Sequence, residues 1–509
     1  MGDYHSMKKN LPAEQFRILL MLLTLFICMM TFAAVQPFGD GPDEINRFKP
    51  VEYIYNHGTL PVGDDPEVLI DGYGGSYAFQ PMLTYIIDGY LLRALRVFEP
   101  SLEMRVFIAR LVNVFIGLLT AIYVKKLSDL LFENRKTAWA FTLAVVFLPQ
   151  NVFIHTYVNT DSMGLLSIAV VLYALVKGMR DDFDKSSCLT LAVGIILCAL
   201  SYYNCYGIVV CAVLFFALYF FRKFRSNNAV ADNSSVDDNP AGQNLPVYDY
   251  RSLLRKGIFI SVIVLIGIAW WFIRNAILYD GDFLAMEARA LCAAKTSIES
   301  LNPLTRDTYQ KLGIPLKEMV FGTDYFTLVW KSFIAMFGPM LIPTHHYIYM
   351  AFRDLFFVAV VGLLIPRKTS VLTWTNKGCR WLVHGIMTLA IIIPVILALY
   401  YSYTYDFQPQ GRYYLPMVVP FMYFPVMGIE KIIDVVEWCI GKTLRVFSKE
   451  KDITKSSDTI ENITKERTVS TLAGAFLYHL LYAFLAASLL YATFISMLGY
   501  YSANGLSLF

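Results

Sequence analysis

Apolar runs of about twenty residues recur along this chain, each bounded by charge, and that recurrence leaves few folds open. A run of that length matches the thickness of a bilayer's hydrocarbon core. Composition agrees: 56% of the residues are hydrophobic and only 16% are charged, against roughly a quarter charged in soluble domains. The runs predict about eleven spans, near 16–36, 106–126, 137–157, 160–178, 188–204, 205–222, 257–274, 348–365, 381–402, 413–434 and 471–499. Each is expected to be a helix, because a lipid-embedded segment must satisfy its own backbone polar groups. The fold class that follows is an all-α polytopic membrane protein with a long first exterior loop carrying short interfacial helices. The first run is too long for a signal peptide's apolar region and lacks a small-residue cleavage site, so it is expected to stay as an anchor.

Lys and Arg collect in alternate loops, at 8–9, 125–136, 177–185, 222–256, 367–380 and 442–467. By the positive-inside rule these loops are cytoplasmic, with the N-terminus inside and the C-terminus outside. Residues 37–105, 158–160, 275–347 and 403–412 then face the exterior. Treating 326–344 as an interfacial helix keeps this alternation. The chain divides into a transmembrane domain over 1–440, with a polar cytoplasmic linker at 223–256, a second linker at 441–469, and a last helix with an exterior tail over 470–509. Residues 226–249 are polar and aperiodic and read as disordered. Of the eight cysteines only Cys292 is expected outside, which leaves no exterior disulfide framework. A net charge of +3 gives no argument for nucleic acid.

The unusual polar motifs all fall on the expected exterior side. They include Asp43-Glu44 with Arg47 just after the first span, Gln80-Pro81, Asn159-Thr160-Asp161, Trp271 to Asn275 with Arg274, and Gly411-Arg412-Tyr413. Acids and cations meeting at one membrane face suit a reaction with a hydroxyl nucleophile and a phosphate leaving group. A positioned carboxylate takes the hydroxyl proton, which assigns Asp43, with Glu44 beside it, as catalytic. Guanidinium forks onto two phosphate oxygens, which assigns Arg47, Arg274 and Arg412 to the phosphate, with Asn275, Asp161, Gln80 and Tyr413 as further substrate contacts. Each has a plainer reading. Asp43-Glu44 begins an interfacial helix, Asp161 caps the fourth span, and Arg274 and Arg412 anchor span ends. Metal dependence stays open: Asp43, Glu44 and Asp161 offer oxygen ligands for a divalent cation, which arginine clamps would make unnecessary. His345-His346 are adjacent and do not face one ligand point.

Pro42-Asp43-Glu44-x-x-Arg47-Phe48, His57-Gly58-x-Leu60-Pro61 and Gln80-Pro81-x-Leu83-x-Tyr85 resemble the first periplasmic loop of GT-C superfamily membrane glycosyltransferases. The order continues with Arg110-Leu111-Val112-Asn113, Asn159-Thr160-Asp161, Trp271-x-x-Arg274-Asn275, Ser332-Phe333 and Pro409 to Tyr413. The nearest resemblance is to bacterial membrane proteins related to protein O-mannosyltransferases and the lipid A aminoarabinose transferase. It implies an inverting transferase that takes a sugar from a polyprenyl-phosphate donor and passes it to a glycan, glycolipid or protein acceptor, with the acidic position at Asp43. It also implies the cytoplasmic (inner) membrane of a bacterium as the location. One departure matters: Ser201-Tyr202-Tyr203-Asn204 stands where many relatives carry a lysine, which shifts the phosphate contacts to Arg274 and Arg412. The competing readings are a flippase or transporter of lipid-linked saccharides, for which Asp88, Arg353 and His384 are the charged residues in or near spans, and a scaffold without catalysis.

Overall fold

The computed structural model describes residues 11–233, 250–451 and 458–506. Eight helices among them are long and apolar enough to cross a membrane: Pro12–Val35, Leu102–Leu131, Asp161–Arg180, Tyr203–Phe221, Tyr250–Leu278, His346–Leu364, Lys377–Thr404 and Thr468–Ala503. The expected class, an all-α polytopic membrane protein, stands, but the expected eleven spans resolve differently at three places. Residues 137–157 are not one helix: α5 (Arg135–Val146) stops and a single turn, α6 (Pro149–Phe153), follows. Pro149 donates no backbone hydrogen bond and holds Leu148 extended, which ends α5 after 12 residues. The run at 188–204 forms α8 (Lys185–Ala199), only 15 residues long. The run at 413–434 begins as a 3₁₀ segment, Gly411–Met417, and continues into α16 (Val418–Lys451), which carries Glu430, Lys431, Asp434 and Glu437.

Helix starts follow local chemistry. Ser101 accepts from the Met104 N–H at the start of α4 (Leu102–Leu131), Asn134 caps α5, Asp184 caps α8, and Asn376 caps α15 (Lys377–Thr404). The most enclosed helix is α7 (Asp161–Arg180), which packs against α4, α8 and α9 (Gly207–Asn233). Helix α14 (His346–Leu364) crosses α16 where its Ala359 and Gly362 meet Gly428. A β-carbon at either glycine would overlap the facing backbone, so small residues set this crossing.

The segment expected at the interface, 326–344, is a ten-residue helix, α13 (Tyr325–Ile334), then a two-stranded hairpin pairing Met336–Phe337 with Ile342–Pro343. Ten residues rise about 15 Å, half of what a span needs. The expected linker at 226–249 is helical as far as Asn233, and 458–469 belongs to α17 (Asp458–Leu490). Residues 234–249 and 452–457 lie outside the described residues. Helix α1 (Leu11–Val35) leads into the loop that carries Asp43, then α2 (Glu44–His57) and α3 (Leu83–Ala94). These short helices pack on each other, and α3 packs on α4, at one end of the bundle.

Candidate active site

A buried ion pair fixes the loop after α1. Glu44 opens α2 and bonds in two places to Arg110 of α4, and both side chains are fully buried. Arg110 also donates to the carbonyls of Ala33, Gln36 and Pro37, and Glu44 accepts from the backbone N–H groups of Val158 and Gly39. Two charges placed in a dry interior are tolerable only when paired and fully hydrogen-bonded, and here nearly every oxygen and nitrogen has a partner. Four chain segments are thereby tied to one point.

Next to that anchor, Asp43 is forced into the left-handed region, with φ 62° and ψ 12°. For a residue other than glycine this costs about 1 kcal/mol, although Asp tolerates it better than most. Asp43 occupies the N-cap position of α2 yet makes no side-chain cap. Its carboxylate instead accepts from Arg412 Nη2 at 2.8 Å and lies 4.0 Å from Arg47 Nη2. The side chain stays 40% exposed, opening into a recess. Burial pushes the Asp43 carboxyl up, but Arg412, Arg47 and hydrogen bonds from Arg412 and Tyr77 together hold it below the usual carboxylate range.

Arg412 reaches the site because Gly411 packs directly on the backbone of Ser332 and Phe333 at the end of α13, its N–H bonded to Ser332 Oγ at 2.7 Å. A side chain at 411 would displace that loop. Buried Arg412 donates to Asp43 and to the Tyr413 hydroxyl at 3.1 Å, but its Nε and Nη1 have no hydrogen-bond partner. Unpartnered guanidinium donors away from bulk water are costly to leave empty and mark an anion position. Arg47 is paired at 2.6 Å with Asp161, at the start of α7, and its guanidinium lies over the Tyr77 ring.

These groups line one cavity of about 150 Å³, together with Gln80, Tyr202, Tyr203, Asn204, Arg289, Tyr401 and Tyr413. Its remaining wall is apolar: Pro394, Leu397 and Ala398 of the membrane-crossing helix α15. Leu397 and Tyr401 are 42% and 41% exposed, so this wall is open and not sealed by neighbouring helices. Arg289, on α11 (Met286–Thr296), faces the Gln80 amide, whose oxygen accepts from Arg289 Nη1 at 2.7 Å when turned toward it. Three guanidiniums therefore look onto the cavity with one carboxylate, Asp43.

Of the residues singled out in the sequence, Asp43, Arg47, Gln80, Arg412 and Tyr413 come together here. Asp161 stands behind Arg47, and Glu44 belongs to the Arg110 anchor. Arg274 turns elsewhere, donating to the Pro61 carbonyl at 2.7 Å, and Asn275 is buried near the Phe283 carbonyl. Arg289 was missed. Its only signal in the sequence is a cation between two alanines, outside every motif singled out. Tyr202 to Asn204, the segment without the lysine, also faces the cavity. Asp43, Glu44 and Asp161 are each engaged by an arginine, and among the described residues no group of three or more His, Cys, Asp or Glu side chains gathers to hold a metal ion.

Residues 72–421 match a family model described as "Predicted membrane protein (DUF2142)". No curated protein matches the chain. Among solved structures, it is similar to the apo oligosaccharyltransferase of Archaeoglobus fulgidus, at 13% identity over 92% of this chain and 56% of that one, with a TM-score of 0.44. It is also similar to ArnT of Cupriavidus metallidurans bound to undecaprenyl phosphate, at 13% identity over 96% of this chain and 76% of that one, with a TM-score of 0.43. The chain thus spans little more than half the length of the archaeal enzyme.

Proposed function

The chain belongs to the DUF2142 family of predicted membrane proteins, and we propose that it acts there as an inverting glycosyltransferase that moves a sugar from a polyprenyl-phosphate donor to a hydroxyl acceptor on the exterior face of the cytoplasmic membrane. One observation carries the reading: a partly exposed carboxylate and three guanidiniums share a cavity whose other wall is an apolar stretch of a membrane-crossing helix. The motif resemblance and the positive-inside charge pattern support it independently, and the distant structural likenesses are not needed for it. In this reading the donor phosphate binds Arg412 and Arg289, and its prenyl chain lies along Pro394, Leu397 and Ala398. Asp43 takes the proton of the acceptor hydroxyl as that oxygen attacks the anomeric carbon. The bond from the anomeric carbon to the phosphate oxygen breaks, its electron pair stays on the phosphate, and the arginines stabilise the charge that develops.

Arg412 has a double part in this scheme. Without donor it holds Asp43, and a base bound that tightly is a weak one. A phosphate competing for the same guanidinium loosens the carboxylate at the moment a base is needed. A pH effect follows with a definite sign. Asp43 has a lowered pKa, so it stays ionised to below its ordinary value, and the acid limb of kcat/KM lies below the usual carboxylate range. Arg412→Gln removes the foremost lowering influence and leaves burial, which raises the pKa, so the limb is expected to move to higher pH. A limb that stays in place would rule out this pairing in the free enzyme.

Arg289 supplies a cation where the 201–204 segment has none. Arg289→Ala is expected to raise the donor KM by roughly tenfold, the value of one charge-assisted hydrogen bond, with a smaller change in kcat. An unchanged donor KM would remove Arg289 from the phosphate site.

Surface glycans and lipid extracts of wild-type and deletion strains, compared by mass spectrometry, test the function itself. The expected result is loss of one sugar from the surface with accumulation of its polyprenyl-phosphate form in the outer leaflet. Accumulation confined to the inner leaflet would favour the flippase. No change in either fraction would overturn the transferase.

A further inference from the structure

Helix α5 is too short to cross a bilayer: 12 residues rise about 18 Å, roughly half the distance. The two helices that line a groove with it, α1 and α17, are long. A second cavity of about 740 Å³ runs along α5 between the three, on the half of α1 remote from Asp43, sharing no residue with the cavity described above. It is apolar along its length, with Leu143 and Phe147 of α5 facing Leu490 of α17. Its mouth is cationic, with Arg17, Arg135 and Lys136. The one acid in the lining, Glu14, is engaged by Lys125 at 3.0 Å and by the Trp139 indole N–H at 3.0 Å, with Arg17 at 3.6 Å. Among the described residues neither Arg135 nor Lys136 has a carboxylate within ion-pair distance.

We propose that this groove binds one anionic diacyl phospholipid from the surrounding membrane, with the headgroup phosphate on Arg135, Lys136 and Arg17 and an acyl chain beside Leu143, Phe147 and Leu490. The charge at the mouth selects an anionic headgroup over a zwitterionic one. The groove's depth, set by α5, matches one leaflet. The inference does not depend on the glycosyltransferase reading.

The test uses the full chain in mixed micelles containing phosphatidylglycerol or phosphatidylcholine, followed by native mass spectrometry and thermal unfolding. One phosphatidylglycerol is expected to stay on each chain and to raise the unfolding midpoint, while phosphatidylcholine does neither. Arg135→Ala with Lys136→Ala is expected to weaken phosphatidylglycerol binding roughly 25-fold, about fivefold for each cation removed. Ala483 lines the groove and is exposed, so Ala483→Phe fills the space without entering the core and is expected to abolish retention at an unchanged lipid-free midpoint. Equal stabilisation by phosphatidylcholine would overturn the proposal in favour of unselective boundary lipid. Retention of polyprenyl phosphate instead would overturn it in favour of a carrier site, and full retention by both variants would show that the lipid binds elsewhere.

Discussion

Cells carrying Asp43→Asn at the wild-type expression level are expected to lose the same surface sugar as the deletion strain, with transfer by the purified variant reduced about 10²- to 10⁴-fold. Asparagine keeps the size of the side chain, still accepts from Arg412 through its amide oxygen, and tolerates the left-handed backbone at 43 as well as aspartate does. What it loses is the ability to take a proton. The variant should therefore keep the wild-type unfolding midpoint, which separates a chemical defect from a folding one. Retention of the sugar by cells carrying this variant would exclude Asp43 as the base and move weight to the flippase.

The second large effect is on stability. Glu44→Gln leaves the Arg110 guanidinium buried without its counter-charge, and Arg110→Met leaves the Glu44 carboxylate in the same position, since neither side chain is exposed. Each single change is expected to cost about 3–5 kcal/mol, a large part of a typical domain's stability. Arg110→Met should be the worse of the two, because it also strips the carbonyls of Ala33, Gln36 and Pro37 of their donor. The double variant should recover part of the loss, since no lone charge remains. Thermal unfolding of the four proteins measures this directly. A Glu44→Gln protein with the wild-type midpoint and no transfer would instead make Glu44 a participant in the chemistry.

Much of this was legible in the sequence, for physical reasons that differ from residue to residue. Composition and run length fix the membrane class because the bilayer imposes one length scale on every span. Asp43, Arg47, Gln80, Arg412 and Tyr413 stood out as polar groups at the edges of apolar runs, and the fold gathers them. Arg274 stood out for the same reason, but a cation beside a span satisfies itself equally well on a loop carbonyl, and sequence distance does not say which. Arg289 was hidden because α11 has no motif around it and reaches the cavity only through the packing of a long inter-span segment. The apolar run at 137–157 concealed a break, since hydropathy registers the side chains and not the missing N–H of Pro149. Helix α16 showed the opposite failure. Glu430 is buried and accepts from Thr137 at 3.0 Å and from the Ser370 N–H at 3.2 Å, so a charge inside the apolar run is absorbed by neighbours a linear reading does not see.

Leu397 and Tyr401 belong to the cavity wall and are exposed, on a helix long and apolar enough to cross a membrane. In the proposed reaction a lipid-linked donor that enters past them never passes through water. Its supply is then two-dimensional, and the relevant concentration is its mole fraction among the lipids, not its amount per volume of buffer. Adding inert phospholipid to a reconstituted system at fixed donor and enzyme would dilute the substrate without changing anything in the aqueous phase, and turnover would fall accordingly. For such a protein the membrane is part of the rate law.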